Sequence, residues 1–253
     1  YEDYAKNFDG GLGWVSAGSG RIDLTGKPLG EALYTRVALE KDNGPYIAVC
    51  PVNHTGDRHS PSAWKMTNAM PSWSWTGCEG QKASIEVYAR AARVELWLNG
   101  RIVGRKALKN DCLAKFSAPY EPGRLEAVSY DAQGCELGRC TLTTAGQQTQ
   151  ITAGPEQSSV QAGHLCYIRL RYTDEKGITK PLARGNIKVE VDGGTLVGLG
   201  NACPYHERSY LDCVADTYYG EALAIVRAGE ENSLTLTADD GMYSTAVTVP
   251  VTH

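Results

Sequence analysis

The chain has 253 residues and a formal charge of −4 at pH 7, which is room for about two domains of the usual size and no basic excess of the kind that carries nucleic-acid binding. No apolar run approaches the ~20 residues that span a bilayer, and 42% hydrophobic with 21% charged residues is an ordinary globular composition. The opening, Tyr1 to Gly20, is too Gly-rich for a helix and carries no apolar core of a signal peptide.

Gly20 to Pro28 reads as a turn around Gly26, with Pro28 expected in the first turn of a helix. Leu29, Leu33 and Val37 recur at helical spacing as far as about Lys41, and Asn43-Gly44-Pro45 stops the pattern. A helix this short is marginal alone, so it must dock on something. Tyr46 to Val52 suits a strand. Asn53 to Met70, with His54, His59 and Trp64, reads as a long irregular loop.

Pro71 to Arg105 is the most patterned stretch. Trp73, Trp75, Gly77 and Gly80 lead into an alternating run, Ile85, Val87 and Ala89 against Glu86 and Tyr88. Val94, Leu96 and Leu98 alternate next, and Asn99-Gly100 separates them from Ile102-Val103. Alternation argues half-buried strands, and Asn-Gly between two of them argues a tight hairpin. Further strands are expected near Ala114–Ala118, Arg124–Tyr130 and Leu137–Thr143, with turns at Glu121-Pro122-Gly123 and Gln133-Gly134. Ala145 to Ser159 is polar and contains Gly and Pro, which suits a domain boundary. A second strand set follows: Leu165–Tyr172, Ile187 to Val191, the Gly-rich Gly193–Asn201, Glu221–Arg227, Leu234–Ala238 and Ala246–Val251. Short strands at this spacing predict β-sandwiches, and no fixed-period repeat is present.

The stretch from Trp73 to Arg105 resembles the first β-sandwich after the catalytic barrel in family 2 glycoside hydrolases of the bacterial β-galactosidase type. The likeness rests on Trp73 and Trp75, Gly77, Val94 to Gly100, and Gly104-Arg105. Gly20 to Pro28 and the helix after it resemble the segment that closes the family's (β/α)8 barrel. Asp192 to Asn201 and Gly220 to Gly229 resemble the invasin-like immunoglobulin sandwich that ends many of these enzymes. The resemblance implies a mainly β chain: residues 1–47 as the tail of the barrel with one helix at about 28–41, residues 48–146 as a first sandwich, and residues 147–253 as an immunoglobulin-like second. The family's catalytic glutamates lie upstream of every residue here, so the resemblance carries over no catalytic residue; no cofactor and no metal are expected in this chain.

Candidate chemistry is sparse. Glycoside hydrolysis needs two carboxyl groups facing one bond, and Asp239-Asp240 reads as a turn, since neighbours on an extended chain point opposite ways. Cys203, His206 and Cys213, and likewise Cys50, His54 and His59, fall short of the four ligands of a structural zinc site. No nucleophile elbow, phosphate loop or dinucleotide fingerprint is present. Trp64, Trp73 and Trp75 are the candidate sugar contacts, because aromatic faces stack on sugar rings; the competing reading is that they wedge the sandwich in place. Tyr205, Tyr210, Tyr218 and Tyr219 read as packing at strand edges. The eight cysteines sit partly inside strand patterns and read as free thiols of a bacterial cytoplasmic protein, with a disulfide-bearing periplasmic or secreted one as the alternative.

The leading expectation is a non-catalytic C-terminal accessory region of a family 2 glycosidase, of β-galactosidase type. Its expected partner is the upstream catalytic barrel of the same polypeptide, with a galactoside or other oligosaccharide as candidate ligand and a homo-oligomer as candidate assembly; neither nucleic acid nor membrane is expected. The alternatives are a carbohydrate-binding module and a structural or adhesive immunoglobulin-like tandem.

Overall fold

The structure is a computed structural model that describes residues 20–55, 66–109, 111–203 and 208–253. The chain divides into two compact units, Tyr1–Thr144 and Ala145–His253.

The described part of the first unit opens with a tight reversal. Ile22 pairs with Pro28 across it. One Asp23 carboxylate oxygen accepts from the Thr25 N–H and hydroxyl, both at 2.8 Å, and from the Lys27 N–H at 3.0 Å. Pro28 therefore closes the reversal, and helix α1 (Gly30–Ala38) starts two residues later than Pro28 would place it. The helix also stops short of Lys41. Glu40 adopts a left-handed φ of 56°, and the Arg90 guanidinium donates to the carbonyls of Val37 and Ala38 at 3.3 and 3.1 Å. Those carbonyls no longer need another turn of helix. The helix lays Leu33, Tyr34 and Val37 on Ala48, Ala69, Tyr88 and Cys112. Gly30 makes the close approach: its N–H bonds the Ala69 carbonyl at 3.0 Å, and a Cβ there would stand 2.4 Å from that oxygen.

Seven strands follow among the described residues: β1 (Tyr46–Val49), β2 (Lys82–Tyr88), β3 (Arg93–Leu98), β4 (Arg101–Ala107), β5 (Leu113–Pro119), β6 (Arg124–Tyr130) and β7 (Glu136–Thr143). They form one sheet of order β1-β2-β5 and another of order β4-β3-β6-β7, all antiparallel. β2 is buried on both faces, Ile85 and Val87 on one and Glu86 and Tyr88 on the other, because α1 covers its second side. The β3–β4 hairpin turns at Asn99 and Gly100 with φ of 50° and 77°, the left-handed pair that a two-residue turn needs.

The second unit holds β8 (Gln150–Pro155), β9 (Val160–Gln161), β10 (Leu165–Thr173), β11 (Ile187–Asp192), β12 (Gly194–Gly200), β13 (Val214–Ala215), β14 (Glu221–Ala228), β15 (Ser233–Asp239) and β16 (Ser244–Thr252). Its sheets are β12-β14-β10-β8 and β13-β11-β15-β16-β9. Cys166, Ile168, Leu170 and Val226 meet Ile187, Val189, Leu234 and Leu236 in one core. β8 lies inside the polar stretch that composition marks as a boundary. It is an edge strand paired to β10, and Ile151 is its one fully buried side chain, so its alternation is faint in the sequence. Among the described residues the chain is thus mainly β, with two sandwiches and one α-helix.

Candidate functional site

The tryptophan segment is built into the end of the first sandwich. Trp73 and Trp75 are 1% and 0% exposed. Trp73 donates its indole N–H to the Glu121 carbonyl at 3.0 Å, and its own carbonyl accepts from the Thr144 hydroxyl at 2.6 Å. The Trp75 N–H bonds the Tyr120 hydroxyl at 2.9 Å. Two aromatics two residues apart on extended chain point the same way, and here that way is inward. In this conformation both indoles are buried, as the packing reading of the pair expects. Trp64 lies outside the described residues.

The other candidate sets disperse. His59, Tyr205 and His206 lie outside the described residues. Cys203 is half-buried, Cys213 is exposed, and among the described residues no three His, Cys, Asp or Glu side chains are placed to hold a metal. Asp239 and Asp240 form the β15–β16 turn. Asp239 accepts from the Gly241 N–H at 2.7 Å, while Asp240 accepts from the N–H groups of Met242 and Tyr243 and from the Tyr172 hydroxyl at 2.5 Å. Tyr218 and Tyr219 meet edge to face at 4.7 Å across a turn in which Tyr219 has φ 47°. No two of the eight cysteines are joined in a disulfide. Among the described residues no helix is long and apolar enough to cross a membrane.

Sequence reading missed the buried acids. Glu31, Glu86, Glu95, Glu126, Asp174 and Glu221 are the six buried carboxylates among the described residues. Each has a partner, as a carboxylate taken out of water requires. Glu31 accepts from the N–H groups of Met66 and Thr67. Glu86 accepts from the Tyr88 hydroxyl at 2.6 Å and lies 3.4 Å from the Lys115 ammonium. Burial first, and then the Glu86 charge, push the Tyr88 hydroxyl far above its ordinary pKa. On the outer face of the four-stranded sheet, Arg105 holds Glu95 at 2.8 Å and Arg124 and Arg139 hold Glu126 at 2.8 and 3.0 Å. Burial would raise the Glu95 pKa, but Arg105, with the Tyr130 hydroxyl and the Arg93 charge, outweighs it and holds the carboxyl below its usual range. Glu221 lies 3.7 Å from the Arg169 guanidinium. These acids stabilise α1 and the sheets; none is arranged as an open pair around a space for a glycosidic bond. The signal available in the sequence was acid at positions of strand alternation, Glu86, Glu95 and Glu126, each matched by basic residues on a neighbouring strand.

Residues 150–248 match the family described as glycoside hydrolase family 2 C-terminal domain 5, and residues 80–138 match a domain of unknown function, DUF4982. A solved family 2 glycosyl hydrolase from Bacteroides cellulosilyticus is similar at 29% identity with a TM-score of 0.82, over 92% of this chain and 32% of that one. A beta-glycosidase from Bacteroides vulgatus shares the fold at 22% identity and a TM-score of 0.72, over 92% of this chain and 28% of that one. A protein provisionally named beta-glucuronidase in Formosa agariphila is 33% identical over 90 residues, 34% of this chain and 9% of that protein. The chain therefore spans at most about a third of the length of the proteins it matches.

Proposed function

This chain is the C-terminal region of a family 2 glycoside hydrolase, and from that premise we propose that it is the accessory, non-catalytic part of a β-glycosidase, docked through its N-terminal segment on an upstream catalytic barrel. The observation that carries the reading is the apolar surface of that segment. Ile22, Leu24 and Leu39 are 58%, 58% and 64% exposed, flanking a helix whose other side is locked to the sandwich. Single exposed apolar side chains are ordinary; several in one short stretch suit a covering partner. The six buried carboxylates, each held by a neighbour, support the non-catalytic part of the reading. The names carried by the similar proteins favour a β-glucuronide or a related β-glycoside as the parent's substrate, in place of the β-galactoside that the sequence resemblance implied.

The test compares this chain alone, the parent protein, and the parent with Ile22→Asp and Leu24→Asp. The isolated chain should release no product from aryl β-glucuronides or β-galactosides. In the parent, the two substitutions should lower the melting temperature by several degrees, and in the isolated chain they should change it little. Product release by the isolated chain would refute the non-catalytic assignment, and equal melting of parent and variant would refute the docking.

A further inference from the structure

The segment that opens the second unit is held by a set of side-chain bonds that no assignment above uses. Residues 146–149 carry no secondary structure, with a bend at Gln147. The Lys180 ammonium donates to the Gln147 carbonyl at 2.9 Å, the Gln148 carbonyl at 2.6 Å and the Thr149 hydroxyl at 2.8 Å. An ammonium has three N–H donors, and these three acceptors use all of them. Asp174 adds a second hold. Its Oδ2 accepts from the Gly146 N–H at 2.7 Å, and its main-chain carbonyl accepts from the Gln150 side-chain amide at 3.0 Å.

Both holds come from one rigid reversal. Asp174 Oδ1 accepts from the N–H groups of Lys176 and Ile178 at 2.9 and 2.8 Å, and Thr173 pairs with Thr179 across the turn. The Lys180 N–H then returns to the Tyr172 carbonyl at 2.8 Å. Consecutive carbonyls on extended chain point to opposite sides, so those of Gln147 and Gln148 converge on one nitrogen only because the chain bends there. The bend and the ammonium require each other. Without Lys180, two adjacent carbonyls would face each other's partial charge with only water between them.

We propose that Asp174 and Lys180 form a latch that makes residues 146–149 part of the second unit, so that the true connector is confined to the backbone between Thr144 and Gly146. On its other side, Thr144 is bound into the first unit through its N–H to the Gly123 carbonyl at 2.9 Å and its hydroxyl to the Trp73 carbonyl. A polar Gly-, Gln- and Thr-rich stretch that composition marks as a domain boundary is thus an ordered strap, and Lys180 is its positioning residue.

Amide hydrogen exchange on the full chain tests this. Lys180→Met should speed exchange of the Gly146 N–H, which Asp174 holds, by about tenfold or more, with β14 and β15 unchanged within about twofold, since only local opening is affected. Lys180→Arg should fall between Met and wild type, because its donors are kept in a different geometry. Asp174→Asn should speed exchange chiefly at Gly146. Unchanged exchange at Gly146 in Lys180→Met overturns the latch. So does acceleration spread over β14 and β15 in both Lys180→Met and Lys180→Gln, because the lysine would then be supporting the whole sandwich and not the strap.

Discussion

The Trp73 indole meets the Tyr120 ring edge to face, with centroids 4.9 Å apart and planes at 68°. Both side chains are buried, and Tyr120 also accepts from the Trp75 N–H. An edge-to-face pair is worth about 0.5–1.5 kcal/mol beyond the area it buries. Trp73→Ala should therefore cost the first unit about 3–5 kcal/mol. Tyr120→Phe keeps the ring and loses the hydroxyl, and should cost about 1–3 kcal/mol because the Trp75 N–H is left without its acceptor. Urea unfolding followed by tryptophan fluorescence measures both. A Trp73→Ala loss under 1 kcal/mol, with fluorescence that responds to added oligosaccharide, would reverse the packing assignment.

The Asn99 carboxamide fixes a second junction. Its Oδ1 accepts from the Arg124 N–H at 2.8 Å and its Nδ2 donates to the Pro122 carbonyl at 3.0 Å, which ties the β3–β4 turn to the start of β6. Gly123 has φ 134°, and a Cβ there would stand 1.9 Å from Asn99 Oδ1. Gly123→Ala should destabilise the first unit by about 1–3 kcal/mol, from strain plus displacement of Asn99. Adding Asn99→Gly should recover the steric part only, so the two substitutions should be non-additive. Strict additivity in denaturant midpoints would contradict the contact.

The thiols should react in a set order. Cys135 and Cys213 are exposed, while Cys78, Cys112 and Cys166 are buried. Burial, and then the Glu86 charge, push the Cys50 thiol up to about 11, so little of it is thiolate at pH 8. Burial likewise raises Cys140 and Cys166. Native alkylation at pH 8, read by mass spectrometry, should label Cys135 and Cys213 first and leave Cys50 and Cys166 for the denatured protein. Early labelling of Cys166 would mean that the second sandwich opens readily.

The parts of this fold that could be read from the sequence are those with one unambiguous buried face. β10, β11 and β15 alternate apolar with polar residues, and Asn99-Gly100 marks its turn by conformation alone. β2 was placed correctly, although the burial of Glu86 and Tyr88 was hidden, because it depends on α1 covering the far face of that strand. β8 was hidden as well, since an edge strand needs few buried side chains and its Gly154-Pro155 end looks like linker. The candidate site fared worst. Trp73 and Trp75 have the spacing of a sugar platform and of a core wedge alike, and what separates the two is Tyr120 and Thr144, 45 or more residues away in the chain. The Lys180 strap has no local pattern, because two of its three acceptors are main-chain carbonyls.

Acid should strip stability from the second unit through two aspartates. Burial alone would raise the Asp174 pKa, but the N–H groups of Gly146, Ile178 and Lys176 outweigh it and hold the carboxyl below its ordinary range. Asp240 follows the same logic: burial raises it, and the Tyr172 hydroxyl with the N–H groups of Tyr243 and Met242 brings it lower. A carboxyl depressed in the folded state binds fewer protons folded than unfolded. Its contribution is therefore complete above the unfolded value of ~3.9 and is lost as pH falls through the lower folded value. Urea midpoints should be level from about pH 7 to 5 as far as these two groups are concerned, then fall steeply below about pH 4. Asp174→Asn keeps the shape without the charge, and should lower the midpoint at pH 7 while flattening its fall in acid. Asp240→Asn should behave alike, and its loss of the charge-assisted bond should also let the Tyr172 hydroxyl titrate closer to its normal value, since burial, then Asp240, now push it up. A wild-type acid limb no steeper than that of Asp174→Asn would show that the carboxylate is not held as the structure has it.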